Sequence, residues 1–139
     1  MICKFLCVPF LISAQGNVFH YADSLRDMHD YRRAAVEYER VIFEYPGGET
    51  EARAALRKAG CEKMLGRYDQ AATELEAVDI QSLSDTGLRY RILFEGMVTA
   101  YLAHEPSRAL ARQARITHFF PDSASSRDLM LLGILSLNE

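Results

Sequence analysis

The chain has 139 residues, 49% of them hydrophobic and 25% charged, with a formal net charge of −3. Those values fit one ordinary globular domain with a modest core and exclude a disordered chain. A net negative balance gives no electrostatic case for nucleic acid, and no run approaches the ~20 apolar residues of a membrane-spanning helix.

Residues 1–14, MICKFLCVPFLISA, differ from everything after them. Lys4 precedes a short apolar run from Phe5 to Ile12, and Ser13-Ala14 offers a small residue for cleavage. That order is expected of a secretory signal peptide, which places the mature chain in the periplasm or outside the cell. The alternative is a retained N-terminal segment and a cytoplasmic protein. Loss of residues 1–14 removes Cys3 and Cys7 and leaves Cys61 alone, so no internal disulfide is expected.

Asn17 to Met28 reads as a helix, with Val18, Tyr21, Ala22, Leu25 and Met28 on one face. A short turn at His29-Asp30 leads into Tyr31 to Tyr45, where Ala34, Tyr38, Val41, Ile42 and Tyr45 form an apolar stripe. Asp30 is the expected N-cap, and Pro46-Gly47-Gly48 ends the element. So short a connection makes the two helices an antiparallel hairpin. Glu49 to Met64 follows, with a stripe of small residues at Ala52, Ala55 and Ala59, and Gly66 separates it from a partner helix over Tyr68 to Val78.

A polar stretch, Asp79 to Gly87, links to a helix over Leu88 to Ala103 and, after His104-Glu105-Pro106, to its partner up to Phe120. Pro106 suits a first helical position. Ser125-Ser126-Arg127-Asp128 matches a capping box ahead of a last helix, within 123–138, that is apolar nearly all round. Leu129, Leu132 and Leu135 on it have more apolar surface than one preceding unit covers, so they are a candidate partner or self-association surface, or mark a helix cut before its partner.

Ala34, Tyr38, Val41 and Pro46, with Tyr31 before them, are echoed by Ala71, Leu75 and Val78 with Tyr68 before them. Ala109, Ile116 and Pro121 echo them again, although Gln113 stands where a large apolar residue is expected. This alternation resembles the tetratricopeptide repeat, a helix-turn-helix unit with a period near 34 residues. The spacings here are longer, 37 residues from Ala34 to Ala71 and 38 from Ala71 to Ala109. In that, and in FEYPGGETEARAA followed by GRYDQAATELE, the chain is similar to the outer-membrane assembly lipoproteins and cell-division coordinators of the bacterial envelope. The resemblance implies an all-α, right-handed superhelical stack of hairpins with about seven helices, in units of roughly 15–48, 49–85 and 86–121 plus the unpaired last helix.

No catalytic or metal constellation stands out. His20, His29, His104 and His118 are scattered, without an HExxH pair or zinc-spaced cysteines, and no phosphate-binding glycine motif is present. The expectation is therefore a protein that is not an enzyme and needs no cofactor or metal. In stacks of this kind the first helix of each unit lines a concave groove. On that pattern Phe19, Asp23 and Arg26, then Arg53 and Lys63, then Arg91, Phe94 and Tyr101 face the groove. Basic residues among aromatics suit an acidic or C-terminal-carboxylate peptide from a protein partner. Self-association through the last helix is the alternative role, with a cytoplasmic regulator as a third.

Overall fold

A computed structural model describes residues 18–125. The described residues are all-helical, with no strands. The six α-helices are α1 (His20–Asp27), α2 (Tyr31–Glu44), α3 (Gly48–Met64), α4 (Tyr68–Ala77), α5 (Thr86–Leu102) and α6 (Pro106–Phe119). Short 3₁₀ turns occupy Ile80–Ser82 and Pro121–Ser125. The expected leader at 1–14 and Leu129, Leu132 and Leu135 lie outside the described residues. Where the last helix was expected to begin, at 123, the chain is in the second 3₁₀ turn.

Consecutive helices pack as α1–α2, α3–α4 and α5–α6 hairpins, and α3 also touches α5. Each hairpin tip is built from the same bonds. After α1 the His29 N–H donates to the Arg26 carbonyl and the Asp30 N–H to the Leu25 carbonyl; Gly66 to Lys63 and Arg67 to Glu62 repeat this after α3. His104 to Tyr101 and Glu105 to Ala100 repeat it once more after α5. This is a Schellman closure, which requires a left-handed residue just past the helix. Gly66 meets that need at φ 74° without strain, whereas His29 and His104 adopt φ 63° and 59° against the preference of residues with a Cβ.

N-caps set the helix starts. The Asp30 carboxylate accepts from the Arg33 N–H at 3.3 Å, and Asp85 from the Leu88 N–H at 3.0 Å. Asp85 thus begins α5 at Thr86, two residues before the apolar pattern suggested. The α1 helix likewise starts at His20, leaving Val18 and Phe19 in the preceding turn.

Two core clusters flank α3. Ala22, Leu25, Ala34, Ala35, Tyr38 and Cys61 form one. The larger one runs from Ala52, Ala55 and Ala59 through Leu75 to Ile92, Met97 and Ile116. The α3 helix is thus buried on two sides, which explains why its buried small residues extend beyond the stripe at Ala52, Ala55 and Ala59 to Ala54 and Cys61. The stretch from Asp79 to Gly87 is not merely a polar link. Ile80 and Leu83 are fully buried in the larger cluster, and the Asp79 carboxylate caps the 3₁₀ turn that carries Ile80 inward.

Candidate functional site

A cleft of about 640 Å³ lies along the first helices of the three hairpins. The central helix α3 supplies Arg53, Leu56, Arg57, Gly60 and Lys63, at offsets 0, 3, 4, 7 and 10, which is one helical face. Gly87, Leu88, Arg91 and Glu95 come from α5, Asp85 from its cap, and Arg26 from α1. Gly60 leaves open space where a side chain would stand, with no atom within 4 Å of its would-be Cβ. Five cations (Arg26, Arg53, Arg57, Lys63 and Arg91) face two carboxylates (Asp85 and Glu95) around the lining.

The cations are held unequally. Arg57 donates to the Asp23 carboxylate at 2.9 Å, and its guanidinium lies 4.3 Å from the centre of the Phe19 ring. Asp23 also takes a short hydrogen bond from the buried Tyr38 hydroxyl and an ion pair from Arg26 at 3.5 Å. Burial first, and the Asp23 hydrogen bond second, push the Tyr38 hydroxyl far above the usual phenol range. Arg57 is therefore clamped by the Phe19 ring just ahead of α1 and the Asp23 carboxylate on it.

Arg53 is held more loosely, 3.5 Å from Glu49 and 3.3 Å from Asp85, with its side chain 47% exposed. Glu49 in turn accepts from the Ser84 hydroxyl and from the Asp85 N–H at 3.1 Å; the Ser84 bond is the main cause that lowers the Glu49 carboxyl below its ordinary value. Lys63 pairs with Glu95 across from α3 to α5. Arg91 is exposed, and the described residues offer it no ion pair or hydrogen bond.

Of the residues expected in the groove, Arg26, Arg53, Lys63 and Arg91 come together in this cleft. Phe19 and Asp23 sit behind it, joined to it through Arg57. Phe94 and Tyr101 do not line it. Both are half-buried against the larger core cluster, and Phe94 stacks on Tyr90 at 6.0 Å, which itself meets Phe120 edge-on at 5.4 Å. Pattern reasoning missed Arg57, Gly60, Asp85 and Glu95. The signal was present for two of them, since Arg57 lies one turn beyond Arg53 and Glu95 one turn beyond Arg91.

The other side of α3 carries a different set of charges. Lys58, its side chain only 10% exposed, bridges Glu39 of α2 and Glu74 of α4. Arg108 of α6 reaches Asp69 at 2.8 Å, Glu76 at 3.0 Å and the Thr73 hydroxyl, all on α4, and also pairs with Glu105. Those carboxylates raise the Arg108 guanidinium still further above neutral pH, and its hydrogen bonds lower the Glu76 carboxyl. Arg112 is buried beside Gly96, whose would-be Cβ lies 3.4 Å from the Arg112 Nε, so the absence of a side chain at 96 makes its passage possible.

Cys61 is a buried free thiol, pushed up to about 11 chiefly by burial, which suits packing and not nucleophilic chemistry. Among the described residues no group of three or more His, Cys, Asp or Glu is placed to hold a metal. No described helix is long and apolar enough to cross a membrane. No family model matches the chain, and neither the curated proteins nor the solved structures yield a match.

Proposed function

We propose that this protein is a non-catalytic adaptor of the tetratricopeptide-repeat kind, whose hairpins stack into a right-handed superhelix and hold a segment of another protein in the cleft between α1, α3 and α5. The observation that carries this reading is the convergence of the first helices of three hairpins on one open cleft, with the second helices kept away from it. Support for the repeat assignment comes from the three hairpin tips, which close with the same pair of backbone bonds at intervals of 37 and 38 residues. With a signal peptide at 1–14, such an adaptor works in the cell envelope.

The test is site-specific photocrosslinking in cells, with a benzophenone side chain at Leu56 in the cleft and, as a control, at Gln70 on α4. The adaptor reading expects a discrete heavier adduct from Leu56 and none from Gln70. Absence of a Leu56 adduct overturns it.

A further inference from the structure

The outward face of α2 is bare of any neighbouring helix among the described residues. Phe43 on it is 85% exposed and Val36 62%. Single apolar residues scattered over a surface are ordinary. These two are not scattered, since a separation of seven residues sets one above the other on the same face. Beside them runs a row of charges at Arg33, Glu37, Arg40 and Glu44, offsets 0, 4, 7 and 11, which is one edge of that face. Within the helix Arg40 pairs with Glu37 at 3.0 Å and approaches Glu44 at 3.8 Å, its own side chain 58% exposed. The Arg33 guanidinium donates to the Tyr21 hydroxyl at 3.0 Å, so the exposed Tyr21 ring of α1 borders the same face.

We propose that α2 pairs with α2 of a second copy of this chain, antiparallel about a twofold axis near Tyr38 and Glu39. The charged row is complementary to itself when reversed. About such an axis the same edge of each helix meets, running in the opposite sense. The spacings of 4, 3 and 4 read alike from either end, while the signs invert: Arg33 meets Glu44 of the second copy, and Glu37 meets its Arg40. Each contact occurs twice, and no like charges of the row oppose one another. Glu39 lies on the other edge, drawn toward α3 by Lys58 at 3.6 Å. In this register Phe43 stands about 3 Å along the axis from Val36 of the second copy, so the apolar pair of each copy covers that of the other. A membrane surface fits less well. Arg32, Arg33 and Arg40 are balanced on this face by Glu37, Glu39 and Glu44, which leaves no net attraction for anionic lipid. One helix of 14 residues per copy is a small contact, below roughly 1,200 Å² in total, so the dimer forms at micromolar concentration and above. No residue lining the large cleft is on α2, so both clefts stay open and the pairing does not depend on what they hold.

The experiment is sedimentation equilibrium on the full chain from about 1 to 300 µM, with helicity followed by circular dichroism. A monomer–dimer equilibrium is expected, half-associated at roughly tens of micromolar. Phe43→Glu, at so exposed a site, keeps the helicity and weakens the dimer by about tenfold or more. Arg33→Glu sets carboxylate against carboxylate at Glu44 of the second copy and weakens it about fivefold. Adding Glu44→Arg to that variant restores the affinity to within about twofold of the parent. Pairing through any other surface does not produce that rescue. A monomer at every concentration, a dimer that Phe43→Glu leaves intact, unchanged affinity with Arg33→Glu, or failure of Glu44→Arg to restore it overturns the inference. A chain that stays monomeric yet floats with phosphatidylglycerol vesicles, and ceases to with Phe43→Glu, overturns it in favour of a membrane surface.

Discussion

The two sides of α3 solve the same problem differently. Both must join neighbouring hairpins with charged side chains. On the side facing the second helices, Lys58, only 10% exposed, bridges Glu39 and Glu74, and Arg108 joins α6 to Asp69, Thr73 and Glu76 of α4. On the cleft side, Arg53, 47% exposed, is shared by Glu49 and Asp85, Lys63 makes a part-buried pair with Glu95, and Arg91 is paired with none among the described residues. A multiply bonded, desolvated cation such as Lys58 fixes geometry, while an exposed one such as Arg53 adds little stability. The most buried of these cations lies on one face of the central helix and the most exposed on the other.

The contrast can be broken most severely at Gly96. A Gly96→Leu substitution places atoms where the Arg112 guanidinium passes and is expected to destabilise the fold by about 3 kcal/mol, read by urea denaturation. Next is Arg108→Ala, which leaves Asp69, Glu76 and Glu105 facing one another; an expected loss of about 2 kcal/mol lowers the thermal midpoint by roughly 8 °C. It also changes the acid limb. Glu76 titrates below its ordinary value when folded, so its contribution is present above the unfolded value of about 4.3 and is lost as the pH falls through the folded one. Stability of Arg108→Ala should therefore fall less steeply with acidification than that of the parent.

Smaller effects sharpen the comparison. Gly66→Ala forces a Cβ into a left-handed tip that belongs to neither face, and about 1 kcal/mol of destabilisation is expected. Arg53→Ala is expected to change stability by no more than about 0.5 kcal/mol. A loss from Arg53→Ala as large as that from Arg108→Ala would erase the distinction between the two faces.

Much of the scaffold was legible in the sequence, because α2 and α4 carry their stripes at helical spacing and their starts beside Asp30 and Gly66. Four cleft cations were legible from spacing, since Arg26 and Lys63 lie 37 residues apart and Arg53 and Arg91 lie 38 apart. What periodicity cannot disclose is pairing across the chain. Lys58 finds Glu74, and Arg108 finds Asp69 and Glu76, only once separate hairpins meet, and a buried lysine reads in sequence like any solvated one. Ile80 and Leu83 were hidden by their polar neighbours, because a three-residue 3₁₀ turn is too short to show a period. Phe94 and Tyr101 were expected in the groove, but an aromatic on a first helix can turn toward the core instead; both pack on the larger cluster, Phe94 stacked on Tyr90. The 37- and 38-residue spacings were visible, but not that the same backbone bonds recur at each.

That recurrence bears on how the chain reaches its shape. Each tip closes through residues no more than five apart, so the ordering cost of bringing them together is small and independent of the other two. Hairpins can consequently form early, in any sequence, on local contacts alone. Docking of the hairpins, which brings together groups as distant in the chain as Arg108 and Asp69, 39 residues apart, carries the larger ordering cost.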